Sequence, residues 1–207
     1  MRTQDSLTLL DIFAWLLSIL FHPVFLPFYA VIGYFFVSDY YYYDLYKLLR
    51  LIFIPTVLIP LVLQYLLWRL KILRSFFLEN PGARKYFSAF VAFIYLFLCK
   101  FLFPIAVLHE LSLFFCAIAL ALGMAVIFNI FRIKISLHAL AFGGVFVFFL
   151  IWSYRHHQNI LDLLALIVII AGLTLASRLY LKAHSVLEIV AGLFSGMISM
   201  FIIFRFL

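Results

Sequence analysis

The stretch Arg132-Ile133-Lys134-Ile135-Ser136-Leu137-His138 leads into an apolar run to Ser153, turns through Tyr154-Arg155-His156-His157-Gln158-Asn159, and returns as a second apolar run to Ala176. It closes with Ser177-Arg178-Leu179-Tyr180-Leu181-Lys182-Ala183-His184-Ser185-Val186-Leu187-Glu188. Each apolar run is about 17 or 18 residues, which at about 1.5 Å of rise per residue nearly matches a hydrocarbon core of about 30 Å. Two crossings return the chain to its starting side. Ser136 and His138 therefore lie on the same membrane face as Arg178 and His184, while His156 and His157 fall in the opposite loop and take no role.

Composition extends this reading to the whole chain. Of 207 residues, 69% are hydrophobic and 11% charged, whereas a soluble domain is about a quarter charged. The apolar runs are unbroken rather than alternating, which excludes the strands of a membrane β-barrel. Helices bond every backbone amide within their own segment, so the fold class is all-α, a polytopic membrane helical bundle of about six to seven transmembrane helices. The net charge of +7 suits anionic headgroups or a phosphorylated substrate, although loop cations also serve topology. Cys99 and Cys116 lie inside apolar runs without C-x-x-C spacing, so neither a zinc site nor a disulfide framework is indicated. The expected location is multi-pass in a bacterial inner membrane.

Outward from the central stretch, Leu7 to Val37 is apolar but broken at His22-Pro23 and Pro27, because proline lacks a backbone donor. This predicts either an interfacial helix up to Phe21 followed by a crossing or one long kinked crossing. The preceding Arg2, Asp5 and Asp11 come without a small-residue cleavage site, so an uncleaved N-terminus is expected. The tyrosine-rich stretch from Asp39 to Lys47 reads as an aromatic belt rather than a base-stacking platform, so no nucleic-acid partner is expected. Leu48 to Trp68 is a crossing kinked at Pro55 and Pro60, followed by a basic segment from Arg69 to Lys85 with a Pro81-Gly82 turn signal. Tyr86 to Pro104 and Ser112 to Phe131 cross next, and His109-Glu110 reads as a capping and interfacial pair. Val186 to Leu207 is the last crossing, with Gly192 and Gly196 at the spacing that lets helices approach closely. No linker or repeat divides residues 1–207, which form a single integral membrane domain.

The chemistry is concentrated in the second half. His184 and Glu188 are four residues apart, hence on one helix face, where a carboxylate can hold an imidazole in one tautomer. His138 joins them from another helix, and Arg178, Lys134 and Arg132 add positive charge. Two histidines, one backed by a carboxylate, and several cations are the parts that phosphoryl transfer needs: a nucleophile, an acid for the leaving oxygen, and stabilisers for the equatorial oxygens.

At these residues the chain resembles the type-2 phosphatidic acid phosphatase superfamily, whose third motif is S-R-x5-H-x3-D and whose second is P-S-G-H. The third motif appears as Ser177-Arg178, five residues, His184, three residues, Glu188; the second survives as Ile135-Ser136-Leu137-His138, one helical hairpin earlier. The resemblance covers roughly 132–207. It implies that His184 attacks phosphorus, that Glu188 orients it in place of the usual aspartate, and that His138 protonates the departing alkoxide and later activates water. Arg178, Ser136, Ser177 and nearby amides would hold the phosphoryl oxygens, with no metal and no cofactor.

Three departures accompany the resemblance. The first motif, K-x6-R-P, is absent, since the chain contains no Arg-Pro pair. Lys134 and Arg132 are the local substitutes, with Arg84 and Lys85 as second candidates. Leu137 stands where the family has glycine, and Glu188 is one methylene longer than aspartate.

The implied function is a metal-independent lipid phosphatase acting on a phosphomonoester or pyrophosphate, such as phosphatidic acid, phosphatidylglycerol phosphate or a polyprenyl diphosphate, whose tail lies in the bilayer. A phosphotransferase is a close variant. The alternative is a non-catalytic lipid-phosphate-binding or scaffold protein on the same fold, which loss of the first motif favours and retention of both histidines opposes. Charge asymmetry does not orient the bundle, because the excess of Lys and Arg on the site face comes mostly from the site; the resemblance implies an outward-facing site.

Overall fold

Helices α1 (Leu9–Leu20) and α2 (Leu26–Val37) come first in the computed structural model, which describes residues 8–38, 44–71 and 81–207, the side chains of 81–83 aside. Most of the expected aromatic belt (39–43), much of the basic segment (72–80) and the N-terminal residues 1–7 lie outside the described residues. Thr8 and Asp11 form a reciprocal capping box that starts α1. Pro23 ends it, and α2 opens with Pro27 in its first turn, where the missing N–H costs nothing. Each helix has 12 residues, about 18 Å at 1.5 Å per residue, so neither crosses about 30 Å alone. The expected break at His22-Pro23 is thus a full turn between two short helices.

Among the described residues, six segments are long and apolar enough to cross a membrane. The first, Leu45–Arg69, joins α3 (Leu45–Phe53) and α4 (Ile59–Arg69) through a π-helical turn at Ile54–Leu58. Pro55 and Pro60 lack the N–H that would continue the ladder, and the wider turn absorbs the defect while Thr56 Oγ1 donates to the Ile52 carbonyl at 2.7 Å. The others are α5 (Pro81–Leu102), α6 (His109–Ile130), α7 (Leu137–His156), α8 (Leu161–Tyr180) and α9 (Val186–Phe206). The protein is therefore an all-α, multi-pass helical bundle.

Helix α5 packs along α6, α7 along α9, and α6 against α9; α1 lies against α8 and α2 against α7. An aromatic core of Tyr34, Phe114, Phe148 and Phe149 fills the bundle towards the end opposite the site, with Phe114 and Phe148 ring centroids 4.5 Å apart. The α7–α9 contact is backbone on backbone. A Cβ on Gly192 would lie 2.4 Å from the Ser136 carbonyl oxygen, and one on Gly196 only 2.0 Å from that of Leu140. The expectation of a close helix approach at Gly192 and Gly196 is met on the partner helix that carries His138.

Four helix ends position the site. Helices α6 and α8 each stop on a left-handed residue, Arg132 (φ 61°) and Lys182 (φ 53°). Ile133 N bonds Phe128 O, and Ala183 N bonds Arg178 O, at 2.8 and 3.0 Å, closing each end by a six-to-one turn. Ser136 and Ser185 then start α7 and α9, their hydroxyls accepting from Ala139 N and Glu188 N. The Ser136 amide donates to the Glu188 carbonyl at 2.9 Å, so the two helix starts are tied side by side.

Candidate active site

Ser185 to Glu188 has the spacing of a capping box, in which Glu188 normally reaches back to the cap's own amide. Here its carboxylate instead bonds Nδ1 of His184 at 2.6 Å. Because the carboxylate accepts, Nδ1 carries the proton and the free lone pair of the neutral ring is on Nε2. The His184 side chain is 7% exposed. Burial holds its pKa down at about 4, against the pull of Glu188 and with help from the positive charges of Lys134, Arg84 and Arg178.

Arg178 sits in the last turn of α8 and lines a cavity of about 440 Å³ together with His184, His138, Lys134 and Arg84. Its Nε is buried and has no hydrogen-bond partner among the described residues. Lys134 reaches across the start of the α8–α9 turn to donate to the Ala183 carbonyl at 2.8 Å. Arg84, near the start of α5 and 6% exposed, donates to the Ile135 carbonyl. Its charge acts on both His184 and Glu188.

His138, in the first turn of α7, is buried, and its Nε2 lies 3.1 Å from the Ser18 carbonyl oxygen of α1. A carbonyl only accepts, so Nε2 is the protonated nitrogen of the neutral ring. The charges of Arg178 and the ring of His184 act on it, as does His22 from the α1–α2 turn, whose ring centroid is 5.7 Å away.

The structure thus brings together His184, Glu188, His138, Arg178 and Lys134. It does not bring in Arg132, which is exposed and serves as the left-handed stop of α6. Of the second candidates Arg84 takes part, whereas the Lys85 ammonium lies 4.9 Å over the Tyr86 ring. Ser136 caps α7, and the Ser177 hydroxyl donates to the Leu173 carbonyl of its own helix at 2.8 Å. At the opposite end, Glu110 receives His156 at 3.1 Å. The interfacial Glu110 is therefore paired across helices.

Away from these cations the same cavity is lined by Phe87, Val91, Phe114, Ile118, Leu122 and Met200. A polar opening over an apolar shaft matches the shape of an amphiphile with an anionic head. Sequence reasoning missed His22, which it named only as the residue before the helix-breaking Pro23; the signal was a histidine inside a largely apolar stretch. Among the described residues no group of three or more His, Cys, Asp or Glu converges as metal ligands would. Comparison with protein-family models, with curated proteins and with solved structures gives no match for this chain.

Proposed function

We propose that the protein is a metal-independent lipid phosphatase of the type-2 phosphatidic acid phosphatase kind, hydrolysing a lipid phosphomonoester or pyrophosphate in a bacterial inner membrane. The observation that carries this reading is the bond of 2.6 Å between His184 Nδ1 and Glu188, at a cavity mouth where Arg178, Arg84 and Lys134 surround the ring. Binding a phosphate needs cations; a neutral imidazole held by a carboxylate is what a nucleophile needs.

In this reading Nε2 of His184 attacks phosphorus. The phosphorus–nitrogen bond forms as the bond to the leaving oxygen breaks; that oxygen keeps the bonding electron pair and accepts a proton from Nδ1 of His138, which the bound anionic phosphate holds as imidazolium while Nε2–H stays on the Ser18 carbonyl. Glu188 stabilises the positive charge that develops on the His184 ring. Arg178, Arg84 and Lys134 offset the charge on the three equatorial oxygens, in a site where few water molecules compete. His138, now neutral with Nδ1 free, accepts a proton from water, which attacks phosphorus and breaks the phosphorus–nitrogen bond. Phosphate leaves and both histidines return to their starting states. The apolar shaft takes part of the lipid tail.

The test is phosphate release by detergent-purified protein from phosphatidic acid, phosphatidylglycerol phosphate and a polyprenyl diphosphate in EDTA. Release is expected to persist in EDTA and to fall by about 100-fold or more in both His184→Ala and His138→Ala. No release from any of the three by folded protein moves the assignment to a non-catalytic lipid-phosphate-binding or scaffold protein.

A further inference from the structure

We propose that His22, in the turn between α1 and α2, is a third histidine of this site and donates a hydrogen bond to an acceptor oxygen on the leaving-group side of the bound lipid phosphate. The proposal rests on the phosphatase reading for what occupies the cavity. His22 lines the same cavity as His138, Arg178 and His184, and its ring stands edge-on to that of His138 at 84°.

The turn holds the ring in place. His22 N bonds Ile19 O at 3.2 Å, Phe25 N bonds His22 O at 2.8 Å, and Phe21 packs against Phe142 of α7 at 6.3 Å. The Val24 amide donates to Nδ1 of His22 at 3.4 Å, which leaves the proton of the neutral ring on Nε2. No group among the described residues accepts that proton. Burial, with the nearby charge of Arg178, lowers the His22 pKa to about 4, so the ring is a neutral donor near pH 7.

Its neighbours say which side of the substrate it meets. The ring of His22 stands 5.7 Å from that of His138, and the charge of Arg178 acts on both. His184 instead feels Glu188, Lys134, Arg84 and Arg178. In the phosphatase reading His138 protonates the departing oxygen, and His22 stands beside His138 in the same cavity, which puts His22 on the leaving-group side. A neutral N–H there recognises an oxygen of the leaving group without adding charge. The second phosphate of a lipid diphosphate and the glycerol ester oxygens of a phosphatidate share this chemistry; a simple alkyl monophosphate lacks it.

The experiment compares kcat/KM of wild type, His22→Phe and His22→Gln on a lipid diphosphate, phosphatidic acid and an alkyl monophosphate. The preference for at least one acceptor-bearing lipid over the alkyl monophosphate is expected to fall about tenfold in His22→Phe, the effect of one hydrogen bond, and to recover in His22→Gln, whose amide restores a donor. The acceptor-bearing lipid with the larger loss identifies the oxygen. An equal loss on all three substrates, or no recovery in His22→Gln, makes His22 a packing residue and overturns the proposal.

A readout free of turnover separates this outcome from failure of the phosphatase reading. Protein labelled with ¹⁵N-histidine is titrated with the phosphonate analogue of phosphatidic acid, a methylene-bridged lipid bisphosphonate and an alkylphosphonate. A shift of the His22 Nε2–H resonance with one of the first two but not the third supports the donor role even if no substrate is hydrolysed. No selective shift overturns it.

Discussion

At the scale of single residues, the acid–base state of His184 follows from where its helix starts. It precedes the cap of α9 in a buried site crowded by cations, and its pKa falls from 6.5 to about 4. Attack needs Nε2 unprotonated, so on the acid side the proposed reaction slows as pH drops through about 4. The acid limb of the kcat/KM profile is expected there; a limb near 6.5 would mean that His184 titrates as it does in water. Stability obeys the same linkage. His184 and His22 are neutral in the fold down to about 4, whereas the unfolded chain protonates them below 6.5. Between those values the unfolded state binds more protons, so their contribution to stability rises with pH from about 4 to 6.5 and is level above. Thermal melts in detergent across this range check it. The His184–Glu188 pair was legible because one helical turn brings the two residues together. Arg84 was legible only as a second candidate beside Lys85, and His22 was not, because their places depend on contacts made 51 and more positions away along the chain.

At the scale of elements, left-handed helix ends and close glycine contacts do the positioning. Arg132 occupies a left-handed conformation that costs a non-glycine residue about 1 kcal/mol. Arg132→Gly is therefore expected to raise the melting temperature without lowering phosphate release, whereas Arg84→Met, which removes a buried charge acting on His184, lowers release tenfold or more. A drop in release with Arg132→Gly would return that residue to the site. Sequence spacing placed Arg132 beside the motif but not its role, since the choice of left-handed residue depends on where α6 stops. For the α7–α9 contact, Gly196→Ala puts a methyl 2.0 Å from the Leu140 carbonyl oxygen, so the helices must separate at the level of His138. That variant is expected to lose at least about 2 kcal/mol of stability, read as a lower melting temperature. Gly172→Ala in α8 meets nothing within 4 Å and is expected to stabilise by about 0.5–1 kcal/mol.

At the scale of the whole molecule, six segments among the described residues are long and apolar enough to cross a membrane, and a cavity lined by the site cations continues as a shaft between α5, α6, α7 and α9. Ile118 lines the shaft from the middle of α6 and is only half-buried, so Ile118→Trp narrows it without displacing the site. KM for a long-chain lipid phosphate is expected to rise several-fold relative to a short-chain, water-soluble analogue; equal effects on both would mean that the tail lies elsewhere. The sequence alone determined the bundle, the pairing of His184 with Glu188, and the return of His138 to the same face. These are local or nearly local matters, because a chain in hydrocarbon must bond its backbone within each segment, and the length of each apolar run sets where it re-emerges. Only the tertiary structure decided that Arg84 joins the site in preference to Arg132, that Ser18 and His22 close in on His138, and that apolar side chains line the rest of the cavity. Those outcomes depend on which helix faces pack together, and in long, uniformly apolar helices no periodicity announces the choice.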